Sequence, residues 1–229
     1  MPSKGALYTK GAGEQTMIKA VIFDLDGTLT DTLADIGNAM NHTLAEHGLP
    51  TYDLDRYRYL VGSGMKRLAR LAVGDRQDMY EPVLAGYAAY YARHATDTTA
   101  PYPGVVEMLG ALHARGLKLC VFSNKPHGDV VTVVQRYLPE IPFALVQGQI
   151  ESVPVKPDPA GALRCAAALG VAPDECLYLG DTDVDMLCAR NAGMHPIGVK
   201  WGFRPEELAA AGAEAIIEEP MEIMAHLDK

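Results

Sequence analysis

Two aspartates separated by one residue follow a short apolar stretch near the start of the chain. The sequence VIFDLDGTLTD, residues 21–31, places Asp24 and Asp26 directly after three apolar residues. The apolar run predicts a buried strand, and two carboxylates at its end would repel each other and lose hydration. Such a pair is suited to covalent chemistry, because one carboxylate can attack phosphorus while the other, two residues on, moves a proton.

A second group of carboxylates lies in the sequence GDTDVD. Asp181 ends an apolar stretch, and Asp185 follows four residues later on the same face of a predicted helix. Ligands of open parallel sheets collect at the carboxyl ends of strands, so we expect these aspartates to converge with Asp24 and Asp26. An all-oxygen set without Cys or His favours a hard cation, and the predicted ion is Mg²⁺. We interpret Asp183 as a helix N-terminal residue.

Polar residues near two further predicted strands complete a candidate phosphate site. Ser123 and Asn124 follow the apolar sequence LKLCVF, and Lys156 lies in the loop sequence VPVKPDP. A hydroxyl, an amide and an ammonium group beside a metal ion can bind a phosphoryl group. The residues together predict phosphoryl transfer through an aspartyl-phosphate.

Strands and helices alternate over most of the chain, and this alternation would position the polar residues. Predicted strands cover residues 21–23, 117–123, 143–148, 175–181, 195–199 and, more weakly, 213–218. Helices between them begin at Pro103-Gly104, Pro159 and Asp183 and end at Gly116, Gly170 and Gly193. This pattern is typical of βαβ units and a parallel sheet.

Residues 32–98 interrupt the alternation with helical patterns. The stretches are TLADIGNAMNHTLAEHG, YRYLVGSGMKRLARLAVG and QDMYEPVLAGYAAYYARHA, with Gly62-Ser63-Gly64 as a turn. The predicted fold is therefore α/β, a Rossmann-like parallel-sheet core with an inserted α-helical cap. We predict a flexible tail over residues 1–16, a core over 17–31 and 99–229, and a cap over 32–98.

Four motifs occur in the order DLDGTLTD, SN, K-P and GDxxxD. In this order they resemble the haloacid dehalogenase superfamily of phosphohydrolases, over the chain from Met17 onward. The sequences YPGVVEMLGALHARG, FSNKPH, KPDP and WGFRPEEL are most similar to its phosphoglycolate phosphatase-like branch, which carries a helical cap between the first motif and the Ser motif. Dehalogenases of the family lack a second Asp two residues after the first, so Asp26 favours phosphate chemistry.

The resemblance implies roles for individual residues. It implies Asp24 as nucleophile, Asp26 as acid and base, and Ser123 and Lys156 as ligands of the phosphoryl group. The implied metal ligands are Asp24, Asp181 and the main-chain carbonyl of Asp26, with Asp185 supporting the metal shell and Lys156. The implied substrate-binding set also includes Gly27, Thr28, Gly62, Ser63, Gly64 and Asn124.

Composition narrows the classes of partner. The chain has 229 residues and a net charge of −9, which disfavours nucleic acid and anionic membranes as partners. It has no apolar run of membrane-spanning length, and MPSKGALYTKGAGEQT lacks the apolar middle of a signal peptide. We predict a cytoplasmic monomer or homodimer whose four cysteines are buried free thiols.

These observations predict a Mg²⁺-dependent phosphatase of small phosphorylated metabolites, with 2-phosphoglycolate as the preferred substrate. The alternatives are a phosphatase of a sugar phosphate, a nucleotide or pyrophosphate, a sugar phosphomutase, and a non-catalytic phosphate sensor. One member of a basic set in the insert could hold a substrate carboxylate, the set being Arg56, Arg58, Lys66, Arg67 and Arg70. The histidines show no metal-ligand spacing and are interpreted as structural.

Overall fold

The structure, a computed structural model, describes residues 17–228, so the predicted tail over residues 1–16 lies outside the described residues. The strands in this part are β1 (Ala20–Phe23), β2 (Thr30–Asp31), β3 (Ala100–Pro101), β4 (Lys118–Pro126), β5 (Leu145–Gln149), β6 (Cys176–Gly180), β7 (His195–Val199) and β8 (Ala215–Ile217). Six of them form a sheet in the order β5-β4-β1-β6-β7-β8, and all neighbours are parallel. From β1 the chain adds β4 and β5 on one side, and it then crosses over and adds β6, β7 and β8 on the other side. This reversal leaves a crevice at the carboxyl ends of β1, β4 and β6.

Helices flank this sheet, which confirms the predicted α/β fold class. They are α1 (Leu33–Glu46), α2 (Leu54–Tyr57), α3 (Met65–Ala72), α4 (Tyr80–His94), α5 (Val105–Ala114), α6 (His127–Tyr137), α7 (Ala160–Leu169) and α8 (Asp183–Ala192). Short 3₁₀ segments cover Gln77–Met79, Pro173–Glu175, Pro205–Glu207 and Pro220–His226. Between residues 17 and 228, none of the helices combines the length and apolar character needed to cross a bilayer.

The central strand β1 is buried on both faces. Its alternate residues Val21 and Phe23 belong to one apolar cluster, and Ala20 and Ile22 belong to a second cluster on the other face. A strand covered by helices on both sides needs a continuous apolar run, which is the pattern of this stretch. The apolar packing fixes the point at which the chain leaves the sheet and Asp24 begins.

Helices α1 to α4 lie between β2 and β3 and share a third apolar cluster, which includes Met40, Leu44, Leu68, Val83 and Tyr87. Strands β2 and β3 pair antiparallel, with Thr30 opposite Pro101 and Asp31 opposite Ala100. The buried Asp35 carboxylate accepts hydrogen bonds from the main-chain N–H groups of Thr98 and Thr99, which ties α1 to the returning chain. The boundaries of the cap, residues 32–98, stay a prediction.

The helical prediction is wrong for residues 58–61, whereas the predicted turn at Gly62-Ser63-Gly64 is present. Helix α2 ends at Tyr57 and α3 begins only at Met65, so residues 58–64 form a loop, which we call the cap loop. Gly62 and Gly64 have φ angles of 109° and 84°. These values lie in a region that is open to glycine and closed to a continuing right-handed helix.

Candidate active site

Three buried aspartates meet at the carboxyl ends of the central strands. Asp24 follows β1, Asp181 follows β6, and Asp185 lies in the first turn of α8. One carboxylate oxygen from each residue lies within 4.8 Å of the others. We call these three residues the carboxylate cluster. The convergence predicted from the two sequence motifs is present in the structure for these three side chains.

Lys156 lies among these carboxylates. Its Nζ atom is 2.9 Å from Asp24 Oδ1 and 2.7 Å from Asp185 Oδ1, and its side chain is completely buried. Burial alone would lower the pKa of Lys156, but the Asp185 and Asp24 carboxylates outweigh this effect and the pKa is raised. The ammonium group therefore stays charged and supplies fixed positive charge beside Asp24.

Both oxygens of Asp181 and Asp185 accept hydrogen bonds. Asp181 Oδ2 accepts a hydrogen bond from the main-chain N–H of Phe203 at 2.7 Å, and its Oδ1 accepts one from the Thr28 hydroxyl at 3.3 Å. Asp185 Oδ2 accepts bonds from the main-chain N–H and the hydroxyl of Thr182, at the start of α8. These donors fix the orientation of both carboxylates.

Gly27 and Thr28, which the sequence assigns to substrate binding, contact Asp181 in the structure. A Cβ atom at Gly27 would lie 2.1 Å from Asp181 Oδ2, so only glycine allows this close approach. Thr28 is buried, and its carbonyl oxygen accepts a hydrogen bond from Trp201 Nε1 at 3.0 Å. Their predicted contact with substrate stays a prediction.

The carboxylate cluster fits a hard divalent cation. Burial raises the pKa of Asp24 to about 7, with Asp185 and Asp26 adding to the rise and Lys156 opposing it. Burial and the carboxylates of Asp185 and Asp24 also raise the pKa of Asp181. Asp24 Oδ1 is buried without a hydrogen bond, although the Lys156 ammonium lies close to it. A cation among these oxygens would offset the repulsion that the single ammonium group of Lys156 leaves uncancelled.

Asp26 turns away from the cluster. Its Oδ1 atom accepts a hydrogen bond from the Thr32 hydroxyl at 2.7 Å and lies 2.9 Å from Lys125 Nζ. Lys125 also donates a hydrogen bond to the Tyr91 hydroxyl of α4 at 2.6 Å. Burial would lower the pKa of Lys125, but the Asp26 carboxylate outweighs it and the pKa is raised.

Sequence reasoning missed Lys125. The available signal was its position directly after Ser123 and Asn124, where a cation follows two candidate phosphate ligands. Its pairing with Asp26 depends on contacts across 99 positions of the chain. The structure therefore adds a buried cation to the residues that face the site.

A small, partly open cavity of about 40 Å³ lies between the sheet edge and the helical insert. Asp24, Asp26, Ser123, Asn124 and Lys125 line it from the sheet. The cap loop and α3 line the opposite side with Val61, Gly62, Gly64 and Met65. Ser63 faces an adjoining groove, which Gly64 and Met65 also line. The cavity therefore brings together the two motif aspartates, the Ser-Asn pair and two of the three cap-loop residues in the predicted substrate set.

Asn124 joins three segments around the cavity. Its Nδ2 donates to the carbonyl oxygen of Gly62 at 2.9 Å, and its Oδ1 accepts from the main-chain N–H of Lys156 at 2.8 Å. The amide thus holds the cap loop and the Lys156 loop against β4. The predicted contact of Asn124 with substrate stays a prediction. The neighbouring Ser123 Oγ accepts a hydrogen bond from the main-chain N–H of Lys125 at 3.3 Å.

Other residues considered from the sequence lie outside this cavity. Lys66, Arg67 and Arg70 face a groove of about 620 Å³ beside α3. Arg58 pairs with Asp55 and lines a different cleft. All four cysteines are buried free thiols, as predicted. In the described part of the chain, the possible metal-ligand group contains aspartates and no histidine.

Comparison with known proteins defines the class. A profile of the haloacid dehalogenase-like hydrolase family matches residues 21–199, and the chain belongs to this family. It is 34% identical over 212 residues to a phosphoglycolate phosphatase of Rhodospirillum rubrum, covering 89% of this chain and 88% of that protein. It is 33% identical to an N-acetylmuramic acid 6-phosphate phosphatase of Pseudomonas aeruginosa, covering 93% and 96%. The chain is accordingly a phosphatase, a phosphoric monoester hydrolase.

The fold gives the same classification. A crystal structure from Lactobacillus delbrueckii subsp. bulgaricus, provisionally named as a phosphoglycolate phosphatase, superposes with a TM-score of 0.86 at 30% identity. The match covers 93% of this chain and 99% of that one. The similarity therefore extends over both the sheet and the helical insert.

Proposed function

We propose that this phosphatase hydrolyses a small phosphate monoester with Mg²⁺ through an aspartyl-phosphate, and that 2-phosphoglycolate is its preferred substrate. The observation that carries the proposal is the position of Asp24. Its carboxylate lies beside the charged Lys156, belongs to the carboxylate cluster and lines a cavity that Asp26 also lines.

In the first step, a carboxylate oxygen of Asp24 attacks phosphorus and forms the aspartyl-phosphate bond. The bond between phosphorus and the ester oxygen breaks, and that oxygen takes a proton from the carboxyl group of Asp26. The alcohol leaves. Thr32 and Lys125 hold the Asp26 carboxyl group on the cavity side, where it can reach a leaving group.

In the second step, water attacks phosphorus and gives a proton to the Asp26 carboxylate. The bond between phosphorus and Asp24 breaks, which returns the Asp24 carboxylate and releases phosphate. The residues are then in their starting protonation states, and the sum of both steps is hydrolysis of the ester.

Lys156 and Ser123 bind the phosphoryl group in this proposal, with Lys156 holding positive charge near the oxygens that gain negative charge. Asp24, Asp181 and the Asp26 main-chain carbonyl would hold Mg²⁺, and Asp185 would orient Lys156. The ion would neutralise phosphoryl oxygens and reduce their repulsion from the Asp24 carboxylate.

The size of the cavity supports a small leaving group. With the cap loop in this position the cavity is small, about 40 Å³, which favours a short leaving group over a sugar. Glycolate adds only a short carboxylic acid to the phosphate. The Gly62 and Gly64 backbone and the Lys125 ammonium line the space where that carboxylate would lie.

Phosphate release from a panel of esters tests the proposal. We would compare 2-phosphoglycolate, N-acetylmuramic acid 6-phosphate, glucose 6-phosphate, a nucleoside monophosphate and pyrophosphate, each with and without Mg²⁺. The highest kcat/KM is expected for 2-phosphoglycolate. A higher value for a larger ester would contradict the substrate assignment and leave the phosphatase class intact.

Replacing Lys125 with methionine should lower kcat by about a hundredfold, the scale of losing a positioned acid or base. The change removes the ammonium that holds Asp26 toward the cavity. Steady-state kinetics on 2-phosphoglycolate would measure it. The matched variant Tyr91→Phe removes only the hydroxyl that accepts from Lys125 and should lose much less activity. Equal losses in the two variants would show that the cap contact, and not the Asp26 pairing, is what matters.

Replacing Gly64 with alanine should raise KM for 2-phosphoglycolate about tenfold, which corresponds to about 1.4 kcal/mol. Gly64 has a positive φ, and an added Cβ would lie 3.2 Å from the Asn124 carbonyl oxygen, so we expect the cap loop to move slightly away from β4. Gly74 is the control, because it also has a positive φ but a Cβ there meets no atom within 4 Å. Similar KM changes in Gly64→Ala and Gly74→Ala would show that backbone strain alone explains the effect.

A further inference from the structure

We propose that Arg204 is a positioning residue that holds the cap loop down over the cavity beside Asp24 and thereby limits the size of the leaving group. Nothing in the sequence motifs assigns a role to this residue. The inference rests on the proposed function for its kinetic consequence, but the contact itself can be tested without turnover.

Arg204 reaches across from the sheet to the cap loop. It follows β7, and its side chain is buried, with the residue 6% exposed. Its Nη1 atom donates to the carbonyl oxygen of Arg58 at 2.6 Å and to that of Val61 at 2.9 Å. Both acceptors are main-chain atoms of the cap loop, so the contact fixes the backbone.

The same guanidinium is anchored on the sheet side. Nε donates to Glu207 Oε2 at 2.7 Å, and Nη2 lies 3.5 Å from Asp183 Oδ1. A planar guanidinium held by two carboxylates presents its remaining donors in a fixed direction. Arg204 therefore links α8 to the cap loop, and we call this set of contacts the bracket.

The bracketed residues form the wall of the cavity. Val61 accepts from Arg204 and lines the cavity, and the next residue, Gly62, also lines it. A Cβ atom at Gly62 would lie 3.2 Å from Arg204 Nη2, so the guanidinium packs directly against this glycine. On the other side, Asn124 binds the Gly62 carbonyl oxygen. The cap loop is thus held by Arg204 on one side and by Asn124 on the other, and its height above Asp24 depends on both contacts.

Arg204 also adjoins the residue that orients the carboxylate cluster. The main-chain N–H of Phe203, the preceding residue, donates to Asp181 Oδ2 at 2.7 Å. One short segment therefore contacts the cluster through its backbone and the cap loop through its side chain. Because neighbouring residues make the two contacts, they set the distance between the carboxylates and the cavity wall opposite them.

A wall fixed at this height favours small leaving groups over large ones. If the bracket is removed, the loop can rise, a small ester loses contacts, and a large ester gains room. A residue needed only for stability would lower activity on both esters by the same factor. The ratio of kcat/KM values for a small and a large ester therefore separates a positioning role from a structural one.

The experiment compares Arg204→Ala and Arg204→Lys with the unchanged protein on 2-phosphoglycolate and glucose 6-phosphate. For Arg204→Ala we expect KM for 2-phosphoglycolate to rise at least about tenfold, the scale of losing a charge-assisted hydrogen bond, with a smaller change in kcat. The kcat/KM for glucose 6-phosphate should stay level or rise. Arg204→Lys keeps the charge with a single donor group and should lie between the two.

Arg190→Ala is the matched control, because Arg190 Nη1 donates to the Ala211 carbonyl oxygen at 3.2 Å, away from the cap loop. It should leave the ratio of the two esters unchanged. Equal losses on both esters in Arg204→Ala, or the same change in Arg190→Ala, would overturn the size-limiting role.

Amide hydrogen exchange provides a readout that does not require turnover. In Arg204→Ala the amides of residues 58–64 should exchange faster, while those of β1 and β6 keep their protection. Arg204→Lys provides the same comparison where the alanine variant does not fold. Unchanged exchange over residues 58–64 would overturn the bracket. Failure of the unchanged protein to hydrolyse any ester, with faster loop exchange in the variant, would instead refute the proposed function and keep the bracket.

Discussion

Replacing Asp24 with asparagine is expected to leave a folded protein that turns over at least about a thousandfold more slowly, the scale of losing a covalent catalyst. An amide of the same shape cannot attack phosphorus. The fold should tolerate the change, because burial and neighbouring carboxylates raise the pKa of Asp24 to about 7 and a neutral amide relieves that repulsion. The measurements are single-turnover kinetics and thermal unfolding of one preparation.

The matched control is Asp31→Asn. Asp31 belongs to the same DLDGTLTD motif but lies exposed at the end of β2, where its Oδ1 accepts from Leu33 N at 3.3 Å. This variant should keep most of its activity. Near-native turnover in Asp24→Asn, with phosphate released at the usual rate, would refute its assignment as nucleophile.

Removal of divalent cations is expected to abolish activity, and Mg²⁺ should restore it. The carboxylate cluster offers only oxygen atoms, and its three carboxylates face a single ammonium group, that of Lys156, so negative charge remains for a cation to neutralise. Ca²⁺ should inhibit, because it takes more ligands at longer distances than Mg²⁺. Phosphate release after chelation, and after adding back each ion, measures both effects. Full activity in excess chelator would exclude a metal requirement.

The stabilisation by Mg²⁺ should also depend on pH. The pKa of Asp24 in the folded protein, about 7, lies above its ordinary value of 3.8, so the folded state binds more protons than the unfolded state between these values. Without the cation, this group therefore destabilises the fold as pH rises from about 4 to about 7. A cation competes with that proton, so the Tm increase on adding Mg²⁺ should be larger at pH 8 than at pH 5.5. An increase that does not grow with pH would contradict this.

The part of the site that is encoded locally could be predicted from the sequence. Asp24 and Asp181 each end an apolar strand, and the ends of parallel strands share one edge of the sheet, so their convergence follows from the strand pattern. Lys156 and Asp185 were predicted from motif order and helical spacing, and the structure places them 2.7 Å apart.

The parts that depend on tertiary contact could not be predicted. Lys125 contacts Asp26, which lies 99 positions away in the chain, and Arg204 contacts the Arg58 carbonyl oxygen, which lies 146 positions away. The sequence around Lys125 or Arg204 does not indicate which residue it contacts. Helix α6 was not assigned from its sequence HGDVVTVVQRY, because β-branched residues obscure a helical signal. Its buried residues Val130, Val133 and Val134 follow helical spacing. That spacing identifies a helix only when the packing of these residues is known.

The paired strands β2 and β3 have a consequence for how the insert can change. Leu29 and Tyr102, just outside this pair, are joined by a hydrogen bond from Tyr102 N to the Leu29 carbonyl oxygen at 3.1 Å. The chain therefore leaves the sheet and returns to it at almost the same point. The helical insert between β2 and β3 therefore begins and ends at one place on the core. Its helices can lengthen, shorten or be exchanged without altering the register of the strands that hold Asp24 and Asp181.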